Sequence, residues 1–450
     1  MTDTIVAVAT PPGESALAII RLSGNSCLDI ISTCFSIPSP TPRYSYLSEY
    51  RDKNGENIDQ VIWCYYQYGK SFTGEEMLEI SCHGNQFIID EILQDLLSHN
   101  IRVAEPGEFT KRAFLSKKID LVQAEAIAGL ISAKSIKEAK LSKKNLEGNL
   151  SIKIRELQRN ILNILANIEA IIDFPEDDLG EDQSQSIIAQ LSEYQTIISN
   201  LSSAYHRNKK ILSTQLITLV GSPNAGKSTL FNCIVGYDRS IVSSAQGTTR
   251  DYISQDIIIN GQSVNLVDTA GLRDSKDKIE STGVQNTLIQ IDKSDIIILV
   301  LDTSTPYPSE LSDYIKKIYK RKKIIIVENK NDLVRKISSN DYPENFSIVS
   351  LCAKDHKGVD DLITAITNCL ENEKYQDSEI DVLINFRQNK CLNFASKSLL
   401  RAKLLLEKDD DYLLSAIEIR ECLHQIGEIV GQTDNETMLD QLFKNFCIGK

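Results

Sequence analysis

The chain has 450 residues, enough for about three domains at roughly 150 residues each, and its 42% hydrophobic and 25% charged content is that of an ordinary globular protein. With 49 Lys+Arg against 62 Asp+Glu the net charge is −13, which excludes a uniformly basic nucleic-acid coat and confines any such contact to a local patch. Ten cysteines without a C-x-x-C pair argue against a zinc ribbon or a disulfide scaffold and fit a reducing, cytoplasmic compartment. No run approaches the roughly 18 apolar residues of a membrane span, and Met1–Thr4 lacks the basic region of a signal peptide, so no membrane association is expected.

Residues 1–120 read as mixed α/β. Thr4–Ala9 and Leu17–Leu22 are short Val/Ile-rich strands separated by the turn residues Pro11-Pro12-Gly13, and Val61–Tyr68 and Met77–Cys82 are further strands. From 121 to 210 the pattern turns helical, with Ile154, Leu157, Ile161, Ile164, Leu165, Ile168 and Ile171 on one apolar face until Asp173-Phe174-Pro175 stops it. Residues 211–375 alternate strands and helices as a parallel sheet with crossover helices does, with a hairpin turn at Asn260-Gly261. Helical patterns return over 376–450, with Leu392, Ala395, Leu399, Leu400 and Leu404 on one stripe. The expected fold class is therefore α/β and all-α multidomain, with an α/β domain inserted into a helical one.

The inserted segment carries the chemistry. Gly221-Ser222-Pro223-Asn224-Ala225-Gly226-Lys227-Ser228-Thr229 follows a strand and opens a helix, as a phosphate loop does. In that pattern Lys227 reaches the β- and γ-phosphates and the Ser228 hydroxyl ligates Mg²⁺. Asp268-Thr269-Ala270-Gly271 follows a second strand, where Asp268 holds the metal and the Gly271 amide meets the γ-phosphate. Asn329-Lys330-Asn331-Asp332 follows a third, and its carboxylate accepts from the guanine N1 and N2 donors that adenine lacks. Cys352-Ala353-Lys354 ends the next strand, with cysteine where GTPases usually carry serine. These four elements, in order, specify GTP. Gly247-Thr248-Thr249 reads as a switch in which Thr249 completes the Mg²⁺ shell. Leu272 stands where a Ras-type enzyme carries its water-orienting glutamine, so hydrolysis needs another device, and Asp274, Asp277 and Glu280 are the nearby acids.

Beyond the GTPase motifs, several stretches carry a resemblance over nearly the whole length. They are Asp3-Thr4-Ile5, Ala9-Thr10-Pro11-Pro12-Gly13, Ser71-Phe72-Thr73-Gly74-Glu75, Pro106-Gly107-Glu108-Phe109-Thr110, Arg112-Ala113-Phe114-Leu115, Gln123-Ala124-Glu125-Ala126, Ile172-Asp173-Phe174-Pro175 and Phe446-Cys447-Ile448-Gly449-Lys450. With these the chain resembles the MnmE (TrmE) family of tRNA-modifying GTPases, departing from it at Glu14-Ser15-Ala16 and Asn85. The resemblance implies an N-terminal folate-binding and dimerisation domain, a helical domain and an inserted Ras-like P-loop domain. It implies action with the flavoprotein MnmG to add an aminomethyl-type (carboxymethylaminomethyl) group to C5 of the wobble uridine of certain tRNAs. The carbon would come from 5-formyltetrahydrofolate or 5,10-methylenetetrahydrofolate, held at Arg21, Glu79, Lys118 and Lys450. It further implies K⁺ in place of an arginine finger, liganded by the Asn224 side chain and the carbonyls of Ser243, Ala245 and Thr248 within Ser243-Ser244-Ala245-Gln246-Gly247-Thr248. Glu280 matches the water-orienting acid, Cys447 is a candidate nucleophile in the modification, and the working state is a homodimer.

Residues 110–155 hold 11 Lys+Arg and 4 Asp+Glu, a local charge of +7, and Lys134, Lys137, Lys140, Lys143 and Lys144 recur at helical spacing. This segment is either a tRNA phosphate contact or a solvated helix face. The competing function is a ribosome-associated regulatory GTPase without modification chemistry, which has no use for the N-terminal domain and the Cys-Ile-Gly-Lys tail.

Overall fold

The structure, a computed structural model, describes residues 3–173, 181–212, 214–237, 253–268, 291–307, 322–337, 346–371, 382–409, 411–432, 436–444, 446 and 449. It divides into two compact units, one of residues 1–132, 141–205 and 382–450 and the other of 133–140 and 206–381. The α/β segment thus interrupts a unit that the chain leaves and re-enters.

In the first unit, strands β1 (Ile5–Val8), β2 (Ser15–Ser23), β3 (Ser45–Arg51), β4 (Asn57–Tyr66), β5 (Met77–Gly84) and β6 (Arg102–Val103) form one sheet in the order β3-β4-β5-β2-β1-β6. All neighbours are antiparallel except β1 and β6. Helices α1 (Cys27–Phe35) and α2 (Gln86–Ser98) lend Ile30, Ile31, Ile89, Ile92 and Leu96 to the same buried cluster as Ile20, Leu22, Trp63, Leu78 and Ile80. The period-two alternation that marks β4 and β5 is what puts Trp63 and Ile80 in that core while Cys64 and Glu79 take the other face.

Helices α3 (Glu108–Leu115), α4 (Leu121–Ser132), α5 (Ile136–Leu146), α6 (Asn149–Asp173) and α7 (Glu181–Leu212) follow. The expected α6 stripe is buried from Ile154 to Ile168, with Ile171 partly so, and the helix ends at Asp173.

The inserted sheet has β7 (Gln215–Gly221), β8 (Ile253–Ile259), β9 (Gln262–Asp268), β10 (Ile296–Asp302), β11 (Lys323–Asn329) and β12 (Ser347–Ser350) in the order β12-β11-β10-β7-β9-β8. Its pairings are parallel except β8 with β9, whose turn residues Asn260 and Gly261 both have positive φ, as the expected two-residue hairpin requires. The helices described here are α8 (Lys227–Tyr237) and α9 (Val359–Glu371).

Helices α10 (Phe386–Asp409), α11 (Tyr412–Val430) and α12 (Glu436–Phe443) complete the first unit. Leu392, Ala395 and Leu399 share one buried cluster with Ile154, Leu157 and Ile161 of α6 and with Ile419, Cys422 and Ile426 of α11. Helical segments before and after the insertion therefore form one core. The expected α10 stripe needs a correction. Leu400 and Leu404 stay exposed, and Ala402 and Leu406 take their place, because the seam that packs follows the 392–395–399–402–406 line.

Candidate nucleotide site and Arg21–Glu79 cluster

The phosphate loop lies between β7 and α8, at a helix N-terminus whose amides face outward for an anion. Two positions need special backbone. Asn224 sits at φ +61°, and Gly226 at φ +92° has Asn329 Nδ2 where a Cβ would be, 2.2 Å away. Lys227 is buried, and its Nζ donates to the Gly221 and Ser222 carbonyls at 3.0 Å each. The Ser228 hydroxyl donates to Asp268 Oδ2 at 2.6 Å, so the two oxygens expected at a Mg²⁺ ion are adjacent.

The base-reading loops are tied to that loop through one side chain. Asn329 Nδ2 donates to the Ala225 carbonyl at 2.9 Å, and its Oδ1 accepts from the Ala353 amide at 3.0 Å. Lys330, at φ +62°, donates to Asp302 Oδ2 at 2.6 Å. Burial opposes ionisation of Asp302, but hydrogen bonds from Lys330 and from Ser304 outweigh it and hold the carboxyl below its usual range. The Asn331 amide donates to the Leu351 carbonyl, and the Cys352 thiol donates to Asp332 Oδ1 at 3.3 Å. Cysteine thus keeps the hydrogen bond that a serine hydroxyl would make there. Thr229 and Lys354 are exposed at the rim.

The other predicted cluster belongs to the first unit. Arg21 and Glu79 are cross-strand partners on β2 and β5, with Arg21 Nε donating to Glu79 Oε1 at 2.9 Å. The guanidinium lies 6.0 Å from the Phe109 ring centroid, and its Nη1 donates to the Gly449 carbonyl at 3.4 Å. Gly449, at φ +86°, packs against β1, where a Cβ would stand 2.5 Å from the Val8 carbonyl oxygen. Tyr66 donates to Glu79 Oε2 at 3.1 Å, and burial, then the Glu79 charge, pushes its phenol up so that it remains a donor. Beside Glu79 opens a cleft of about 450 Å³ lined in part by Arg43, Ile62, Cys64, Tyr66 and Ser81. Lys118 Nζ donates to the Gly69 carbonyl at 2.5 Å.

Ser243, Ser244, Ala245, Gln246, Gly247, Thr248, Thr249, Thr269, Ala270, Gly271, Glu280, Cys447 and Lys450 lie outside the described residues. His83 and Cys82 do not form a pair, since the exposed His83 ring bonds to Asp59 at 2.8 Å while Cys82 is buried on the opposite face. Sequence reasoning missed the Asn329 brace, the Gly449 contact and Tyr66. Only Tyr66 left a signal, since β4 alternation puts it on one face with Cys64, the register partner of Glu79.

Comparison with known proteins gives two family matches, "GTP-binding protein TrmE N-terminus" over residues 4–118 and "MnmE helical domain" over residues 121–447. The tRNA modification GTPase MnmE of Sulfurovum sp. (strain NBC37-1) is 37% identical over 452 residues, covering 100% of this chain and 99% of the relative. Those of Aquifex aeolicus (strain VF5) and Thermotoga petrophila are 37% and 35% identical, each covering 100% of both chains.

Proposed function

Because the chain belongs to the MnmE family of tRNA modification GTPases, we propose that it is a K⁺-dependent GTPase working with a MnmG-type flavoprotein. Together they would add an aminomethyl-type group to C5 of the wobble uridine, using a one-carbon unit from a reduced folate. The observation that carries this reading is the bond from Arg21 to the Gly449 carbonyl, which ties the C-terminal tail to the cross-strand partner of Glu79, the acid that lines the cleft. A GTPase acting only as a binding switch has no need of such a cleft.

The residues present fit the groups this chemistry needs. The Ser228 hydroxyl and Asp268 carboxylate, already adjacent, are the hard oxygen donors that Mg²⁺ prefers. Asn224 in its left-handed conformation, with the carbonyls of Ser243, Ala245 and Thr248, is the K⁺ set by family likeness. Bound there, the two cations supply positive charge to the phosphate oxygens as the γ-phosphate departs. Lys227 then turns its ammonium from the loop carbonyls to the phosphates, Asp332 accepts from the guanine edge, and Glu280 orients the attacking water. In the first unit, Glu79, held by Arg21 and Tyr66, is a fixed acceptor for the N–H groups of a pterin ring. Lys118 and Lys450 are cations for the glutamate carboxylates, and Cys447 is the candidate nucleophile of the tail.

A homodimer joined through the N-terminal sheets is supported by Leu47 and Ile62, paired across β3 and β4 and both exposed. For tRNA, Lys134, Lys140 and Lys143 are exposed in the basic segment. The experiment is mass analysis of wobble uridines from cells lacking this gene and complemented with the wild type or Glu280→Ala. Modification should vanish in the deletion and return with the wild type. Glu280→Ala should retain GTP affinity but lose most turnover and modification. Normal modification in the deletion would favour the ribosome-associated regulatory reading.

A further inference from the structure

Outside both sites, one buried cluster of the first unit combines a thiol, a carboxylate and an imidazole. Cys34 lies in the last turn of α1, Asp95 in α2, and His99 caps the C-terminus of α2 one turn beyond Asp95. One ligand atom from each can be chosen so that all three lie within 4.8 Å of one another. Cys34 Sγ is 3.8 Å from Asp95 Oδ2, and His99 Nε2 is 3.7 Å from the same oxygen. Cys34 and Asp95 are buried, while His99 keeps 22% of its side chain exposed.

The carboxylate is already oriented by neighbours. Tyr50 donates its hydroxyl to Asp95 Oδ2 at 2.7 Å, and the Lys53 amide donates to Oδ1 at 3.0 Å. His99 Nε2 is different. It is buried, it points toward Asp95, and it finds no hydrogen-bond partner among the described residues. At 3.7 Å the ring nitrogen and the carboxylate oxygen are too far apart to share a proton. A metal ion sits differently. Bonds of about 2.0–2.3 Å at tetrahedral angles place ligand atoms roughly 3.3–3.6 Å apart, a few tenths of an ångström from the two spacings to Asp95 Oδ2, and Cys34 and His99 offer ligand atoms within 4.8 Å of each other.

We propose that Cys34, Asp95 and His99 form a zinc site that clamps the end of α1 to the end of α2. Sulfur, nitrogen and oxygen donors in one set suit a borderline-soft divalent ion and disfavour Mg²⁺ and Ca²⁺, which seek oxygen alone. Water takes the fourth position, and Tyr50 and the Lys53 amide fix the carboxylate from the outer shell. Binding releases the Cys34 thiol proton to solvent and leaves a thiolate on the metal. No C-x-x-C spacing announces this site, because its donors come from two helices 61 residues apart at Cys34 and Asp95.

The test is titration of the full-length, chelator-stripped chain with Co²⁺ and then Zn²⁺. One equivalent of Co²⁺ should produce a thiolate-to-cobalt charge-transfer band with the visible bands of a four-coordinate ion, and Zn²⁺ should bleach both. Cys34→Ser should abolish the charge-transfer band. His99→Gln, at a partly exposed position that tolerates the change, should weaken metal binding at least about ten-fold with the far-ultraviolet circular dichroism unchanged. Cys233→Ser, at a buried thiol of the other unit, should leave the spectrum as it is. A wild type without the charge-transfer band overturns the proposal, as does a band that survives Cys34→Ser or an affinity unmoved by His99→Gln.

Discussion

Asn329 opens the GTP-specifying motif, yet its own side chain is spent on protein rather than base. It joins the Ala225 carbonyl of the phosphate loop to the Ala353 amide of the loop after β12, and both partners are buried. Removing it strands a donor and an acceptor, each costing about 1–3 kcal/mol when unpaired. Asn329→Ala is therefore expected to weaken GTP binding by about ten-fold or more, read by titration with a fluorescent nucleotide. Retained affinity would mean that the two loops hold their places without the brace. Cys352 is a contrasting case. Because its thiol already donates to Asp332, Cys352→Ser replaces one donor by another, and nucleotide affinity should stay near the wild-type value in the same titration.

At the scale of elements, the matched stretches of the N-terminal region meet at one ion cluster. Arg112 of α3, almost fully buried, binds Asp3 Oδ1, Glu75 Oε2 and Glu108 Oε1, each at 2.9 Å. Arg102 of β6 closes the ring through Glu108 at 2.6 Å and through Asp3. Burial disfavours the charged form of Glu108, but Arg102 and Arg112 outweigh it and hold the carboxyl below its usual range; at Asp3 the Arg102 hydrogen bond is the leading cause. Carboxyls depressed in the folded state stabilise it above their unfolded range, and that stabilisation is lost as pH falls through the folded values. Acid should therefore loosen α3 from β1 and β6. Glu108→Gln should cost about 2 kcal/mol at neutral pH and flatten the acid limb of the stability profile, measured by urea unfolding from about pH 7 down to about pH 2. An equally steep acid limb in the variant would place the pH dependence elsewhere.

For the whole molecule, the decisive contact joins residues 428 positions apart, Arg21 and Gly449. The tail fits only because residue 449 has no side chain. At φ +86° and with the Val8 carbonyl oxygen 2.5 Å from an added Cβ, alanine would be both strained and crowded. Gly449→Ala should cost about 1–3 kcal/mol of tail docking, enough to lower tRNA modification about ten-fold in complemented cells while GTP turnover persists. Modification at the wild-type level would show that the docked tail is not needed for the chemistry.

What residue order determined by itself was local. The phosphate loop, the Asn260-Gly261 hairpin, the α6 stripe and the change from helical to alternating period are each written in neighbouring residues, because turn conformation and face periodicity act over a few positions. Even there, the α10 seam was legible only in part, since which side of an amphipathic helix packs depends on its partners. Tertiary structure alone decided the rest: that Asn329 braces two loops, that four separate stretches share one ion cluster, and that the tail reaches Arg21. The longest of those contacts join residues 104, 109 and 428 positions apart, and no rule of local sequence carries such pairings, because they form only when distant apolar faces bury together and bring their polar groups within hydrogen-bond reach.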